Sequence, residues 1–282
     1  MKNKRLGASL IAALCLCTVS ACTGEPATES APAPSTSSVA PKQASVREQL
    51  DRAVEKTAKR YHAKVGVAIA AGDDTITAGD KGTGPVWSTI KVPIAIAALK
   101  DGADKSLVDL AIKESDNDAA YSLWSQVQWQ EGSAKKAVGD LLDDYGSRAD
   151  IHDTAFGYST WPLEEQAVFG AELPCIKEAD YVHKVLKDIV PWQKIGLSKE
   201  KQTRAKSGWG LDEDENEYTY RQFGVHEVEG KRVGVALSVV TDGEDYADAE
   251  KAVKHLARQL VDIVDAGVGE GAIDPAARCT TR

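Results

Sequence analysis

With 43 acidic residues against 34 basic ones, the 282-residue chain carries a formal net charge of −9 and has no basic stripe, which argues against a nucleic-acid partner. Setting aside a leader and a polar stretch at the N-terminus leaves about 238 residues, enough for one large domain or two small ones. His62, His152, His183, His226 and His255 are scattered without ligand-like spacing, so no metal site and no cofactor are expected.

In chain order, Lys2, Lys4 and Arg5 precede an apolar stretch from Leu6 to about Val19, the layout of a secretory signal peptide and too short for a comfortable membrane span. It ends in Val19, Ser20, Ala21 and Cys22, which resembles the lipobox of bacterial lipoproteins. That resemblance implies a signal peptide over 1–21, lipid attached to Cys22, and anchorage to the outer face of a bacterial cell membrane. Residues 22–44 are rich in Pro, Ser, Thr and Ala with hardly a large apolar side chain, so they are expected to form a disordered tether. The folded domain is expected over 45–282. Of the five cysteines, Cys15 and Cys17 leave with the leader and Cys22 takes lipid; Cys175 and Cys279 remain, and in an oxidising compartment two such cysteines are expected to pair.

Val46, Leu50, Val54 and Ala58 recur at helical spacing over 45–61, with Ser45 as the cap. "KVGVAIAAGDDTITAGD" reads as two strands about a tight turn at Gly72 and Asp73. Helices are predicted after Ser88 and over 105–114, 119–130, 134–143, from Pro162 onward, and over 179–189, with 145–161 irregular. The last third turns to strands in "TRAKSGWG", "YTYRQFGVHEV" and "KRVGVALSVV", with an acidic loop over 211–217, and ends in a long amphipathic helix from Tyr246. The pattern implies an α/β (α+β) fold: an antiparallel sheet flanked by helices, closing over an inserted all-helical region at about 100–190.

Serine three residues before lysine occurs at Ser88/Lys91, Ser133/Lys136 and Ser198/Lys201. The second and third pairs sit in polar, exposed-looking stretches where a lysine stays protonated. Ser88 instead opens an apolar run, Val92 to Leu99, that belongs in a core, and Lys91 lies one turn below it on the same face. Burial disfavours the ammonium form and so creates a neutral amine able to take the serine proton. Further on, Ser115-Asp116-Asn117 falls between two helices and Lys206-Ser207-Gly208 on a strand.

SxxK, SDN and K[ST]G in this order resemble the signature set of class A serine β-lactamases and penicillin-binding proteins. "STIKVPIA" is similar to that family's nucleophile helix and "SDNDAAYSLW" to its SDN segment, and the likeness spans about 45–266. It implies a β-lactamase/transpeptidase-like fold in which Ser88 is the acylated nucleophile and Lys91 its base. Ser115 would pass a proton to the leaving nitrogen, Asn117 would bind the substrate amide, and Lys206 and Ser207 would hold a carboxylate. Gly208 would admit the substrate backbone, and the N–H groups of Ser88 and Trp209 would form an oxyanion hole. The implied partner is a β-lactam or a peptidoglycan stem peptide. Two departures stand out. Ser88 and Ser115 are only 27 residues apart, and no ExxLN sequence follows SDN; Glu164 and Glu165 lie at a helix start, where acidic residues are expected for the dipole. Without a water-activating carboxylate, a β-lactam acyl-enzyme is expected to persist. The alternative is a non-catalytic lipoprotein of this fold that binds a wall component or a protein.

Overall fold

Alternation along the strands divides the protein into two cores. A computed structural model describes residues 39–243 and 246–275, with side chains from residue 42 onward; the expected leader, Cys22 and Cys279 lie outside the described residues. Five strands, β1 (Lys64–Ala71), β2 (Asp74–Gly79), β3 (Thr203–Asp212), β4 (Glu217–Val228) and β5 (Lys231–Asp242), form one sheet in the order β2-β1-β5-β4-β3 with every pair antiparallel. In β1, Val65, Val67, Ile69 and Ala71 enter one core while Ala68 and Ala70 enter the other. Because successive side chains point to opposite faces, a strand buried on both sides reads as a continuous apolar run.

The first core is closed by α1 (Val39–Tyr61) and α8 (Tyr246–Gly269). Leu256, Leu260 and Val264 of α8, at helical spacing, meet Val46, Leu50 and Val54 of α1 and one face of the sheet. The helix begins at Val39, so the last residues assigned to the tether from composition are helical.

The second core lies under the helical region between β2 and β3: α2 (Lys91–Lys100), α3 (Lys105–Asp109), α4 (Asn117–Glu131), α5 (Ala134–Asp144), α6 (Leu163–Glu172) and α7 (Asp180–Val185). α2 is buried along Lys91–Ala98, as its unbroken apolar run requires. α6 packs directly on the sheet, against β1, β4 and β5. Two predicted helices are shorter: α3 passes into a π-helical turn over Leu110–Glu114, and α7 stops at Val185. Trp161 is fully buried, its indole N–H donating to Ser147 Oγ, and packs in this core. Cys175 is half-buried, its Sγ accepting a hydrogen bond from Arg232. Among the described residues no helix is long and apolar enough to cross a membrane, and no group of three His, Cys, Asp or Glu side chains is placed to hold a metal.

Candidate active site

The segment leading to Ser88 is held from beneath by a buried arginine. Arg221 of β4 donates to the carbonyls of Gly82 (3.0 Å), Gly84 (2.9 Å), Pro85 (3.1 Å) and Trp161 (2.8 Å) and to Gln166 Oε1 (3.2 Å). Gln166 in turn donates to Thr89 Oγ1, and Thr89 donates to the carbonyl of Val86 at 2.6 Å. Out of this clamp the chain enters a 3-10 turn, Trp87–Ile90, that runs straight into α2, with Trp87 in the left-handed region at φ 49°. A positive φ at a bulky residue is strained and persists only where surrounding contacts enforce it. Its result is a half-buried Ser88 at the N-terminal end of a helix, where backbone N–H groups are unpaired and the dipole is positive.

β3 presses against that turn. A Cβ on Gly208 would lie 2.7 Å from Ser88 N, 2.8 Å from Val86 O and 2.9 Å from Thr89 N, all backbone atoms unable to swing aside. A Cβ on Gly210 would strike the Trp87 ring at 2.7 Å. The glycine of the K[ST]G triplet is therefore required by the approach of the strand to the turn that carries Ser88.

Lys91 is 1% exposed, and its Nζ donates to the carbonyl of Ser115 (2.5 Å) and to Asn117 Oδ1 (2.6 Å), with Ser115 Oγ at 3.4 Å. Ser115 reaches it because the π-helical turn ends with this serine left-handed (φ 57°), after which Asp116 caps α4 through Ala119 N. From the sheet side Lys206, also 1% exposed, donates to the same Ser115 Oγ at 2.9 Å and to the carbonyl of Ser207 at 3.0 Å. Two buried amines thus meet at one hydroxyl. Burial lowers the Lys91 pKa from 10.5 to about 8, against the opposing pull of the Asp116 charge. Lys206 is pushed well down as well, by burial first and then by the charge of Lys91.

That arrangement has a measurable cost. Unfolding restores Lys91 from about 8 to 10.5, so above pH 8 the unfolded chain binds more protons than the folded one and stability rises with pH. Burial raises Tyr218, Tyr220 and Tyr246, which reverses the trend once free tyrosine begins to ionise near pH 10. Urea unfolding is expected to give a free energy larger by about 1–2 kcal/mol at pH 9.5 than at pH 7.5. A flat or falling profile would contradict the burial of these amines.

Ser88, Lys91, Asn117 and Trp209 line one cavity of about 310 Å³, together with Tyr121, Ala155, Phe156, Gly157, Tyr158 and Trp87. The Ser88 hydroxyl takes no hydrogen bond from any described residue. Ser207 stands apart: it is buried, and its hydroxyl accepts a hydrogen bond from Gln222 Nε2 at 2.7 Å. Among the described residues no carboxylate lines the cavity. Glu164 is exposed, and Glu165 instead accepts from Arg148 N at 2.8 Å. Of the other serine–lysine pairs, Ser133 caps α5 while Lys136 pairs with Asp140, and neither contacts the cavity. Ser198, expected to be exposed, is buried and donates to the carbonyl of Ile195, so its polar surroundings in sequence misrepresent its position. Tyr121, Phe156 and Tyr158 escaped the sequence reading, since they come from a helix face and from the irregular 145–161 stretch. A second cavity of about 100 Å³ behind α2 carries Glu131, Asp140, Asp144, Glu178 and Lys100 but no nucleophile.

No family model matches the chain, and no curated protein matches it. Solved structures do. A class A β-lactamase from Bacteroides cellulosilyticus superposes with a TM-score of 0.65 at 14% identity, covering 78% of this chain and 99% of its own. The TLA-3 extended-spectrum β-lactamase gives 0.63 at 16% identity, covering 78% and 99%. PBP-A, as a point mutant in an acyl-enzyme complex with penicillin G, gives 0.59 at 15%, covering 79% and 97%. The chain has the fold seen in these class A β-lactamases and in PBP-A. Within this fold, the three motifs fall on the turn Trp87–Ile90 with the start of α2, the turn before α4 and edge strand β3, and Ser115 is where they meet.

Proposed function

We propose that the cleft carries out acyl transfer on a penicillin-recognising serine, with Ser88 acylated by a β-lactam or by a peptidoglycan stem peptide. The observation that carries this reading is the convergence on Ser115 Oγ of Lys206 and of Lys91, the latter one helical turn from Ser88 along the chain. Ser88 Oγ adds to the substrate carbonyl while its proton passes to the neutral amine of Lys91. The C–N bond then breaks, and the departing nitrogen takes a proton relayed through Ser115 Oγ. Water later cleaves the ester and restores the serine proton. Backbone N–H groups of Ser88 and Trp209 would meet the oxyanion, Asn117 the substrate amide, and Lys206 the charge of a substrate carboxylate. The acyl-enzyme complex of PBP-A with penicillin G, on the same fold, supports the first half of this sequence.

Among the described residues the lining lacks a carboxylate to activate the second-step water, so release of the acyl group is expected to be slower than its formation. Incubation with penicillin G is expected to add the mass of the intact drug to the protein, to persist after excess drug is removed, and to be absent in Ser88→Ala. A chain that forms no adduct with several β-lactams and stem-peptide esters would be a binding module of this fold. The same reading has the domain tethered through lipidated Cys22 to the outer face of a bacterial membrane, with Cys175 and Cys279 paired.

A further inference from the structure

Both buried amines depend on where Ser115 stands, and its own turn does little to fix it. The π-helical turn Leu110–Glu114 closes with one bond, from Asp116 N to the carbonyl of Leu110 at 3.1 Å, and Ser115 between them is left-handed. A helix end leaves carbonyls unpaired, and a left-handed serine holds only where other contacts enforce it. Those contacts come from the stretch between α7 and β3. Val190 N donates to the carbonyl of Lys113 at 3.2 Å, and Gln193 Nε2 donates to the carbonyl of Glu114. They take the two carbonyls immediately before Ser115.

The same stretch is fastened to the sheet by a second glutamine. Gln222 of β4 donates through Nε2 to the carbonyl of Ile195 (2.7 Å) and to Ser207 Oγ (2.7 Å), and its Oε1 accepts from Leu197 N (2.8 Å). Ser207 adjoins Lys206 on β3. Gln222 and Gln193 thus form a brace from the strand that carries Lys206 to the turn that carries Ser115, alongside the 2.9 Å contact between those two residues.

Gln193 is an odd choice for a purely packing residue. It is 1% exposed, and its Oε1 is buried with no hydrogen bond from any described residue. A buried acceptor left unpaired costs stability that an apolar side chain of similar length would avoid. The amide is useful at this position through Nε2 alone. We infer that Gln193 is a positioning residue, which keeps Ser115 Oγ within reach of Lys206 and Lys91; the inference rests on the acyl-transfer reading above.

The consequence is selective. When a C–N bond breaks, the departing nitrogen needs the proton relayed through Ser115 Oγ. When a C–S bond breaks, the sulfur leaves as a thiolate and needs none. Gln193→Met is therefore expected to slow acylation of Ser88 by penicillin G about tenfold or more, and acylation by the thiolester N-acetyl-D-alanylthioglycolate by less than about threefold. In a Ser115→Ala background the same substitution is expected to add little further loss with penicillin G, since the two residues act as a unit. Rapid-quench intact mass reads both rates. The variant should melt close to the parent, because it loses one bond and one unpaired acceptor together, and the carbonyl of exposed Glu114 can turn to water.

A second readout needs no substrate. Amide exchange at Asp116, followed by NMR, is expected to be at least about tenfold faster in Gln193→Met, with α8 amides unchanged. Equal losses on penicillin and thiolester, a full loss added to Ser115→Ala, or parent-like exchange at Asp116 would overturn the positioning role and leave the acyl-transfer reading standing. A parent acylated by neither compound would sink the acyl-transfer reading, and exchange at Asp116 would then decide alone whether Gln193 holds the turn.

Discussion

Replacing Lys91 by methionine is expected to slow acylation of Ser88 by about 10²–10⁴-fold, the usual worth of a positioned base. Methionine has nearly the shape of lysine and suits the buried position, so the fold is expected to survive; what is lost is the amine that meets Ser115 and Asn117. The pH dependence gives a second readout. With the Lys91 pKa near 8, the neutral amine is a minority at pH 6 and grows about tenfold per unit. The acylation rate of the parent protein should therefore climb with pH and level off above about 8, and this limb should vanish in Lys91→Met. Lys91→Arg should be as poor as methionine, since guanidinium keeps its proton at every accessible pH. Stopped-flow acylation by a chromogenic cephalosporin across pH 6–9 reads both effects. A methionine variant with the parent's rate and profile would remove Lys91 from the chemistry.

Replacing Arg221 by methionine should have the largest effect on stability, about 3–5 kcal/mol. The guanidinium is fully buried; burial lowers its pKa to about 10, the Asp80 charge opposing, so it stays charged at neutral pH. Its partners are four backbone carbonyls and one side-chain amide, and removing it strands them without water. For a domain of this size such a loss lowers Tm by roughly 10 °C. Since three of those carbonyls belong to the segment entering Ser88, acylation should fall along with Tm. Lysine should not rescue either property, because an ammonium cannot span carbonyls that a planar fork bridges. Thermal unfolding followed by circular dichroism tests this, and a variant melting with the parent would show that the clamp contributes little.

How much of this could be read from the sequence depends on which forces act locally. Ser88 and Lys91 were legible because Val92 to Leu99 leave no polar side for the helix to turn outward, so burial of the lysine follows from the run itself. Ser115 and Lys206 were legible as members of triplets, and the helix-flanked antiparallel sheet from the order of strand-like and helix-like runs. The left-handed Trp87, the π-helical turn and the clamp of Arg221 were not, because each is set by contacts between residues distant in sequence. The same holds for Ser207, whose hydroxyl is taken by Gln222 on the neighbouring strand. Phe156 and Tyr158 lie in a stretch with no periodicity, where only the folded chain reveals what they face.

The sheet order also dictates when this protein can fold. β1, among the first elements of the chain, pairs with β5, so that Lys64 sits opposite Val240. Pairings so remote in sequence are slow to close, and β1 has no inner neighbour until the last strand has been made. Ser88 likewise cannot meet β3 before the C-terminal third is present. The nascent chain therefore carries an unfinished sheet through most of its synthesis. Under the export proposed above, this delay would be an advantage, since the sheet could not close early enough to block passage across a membrane.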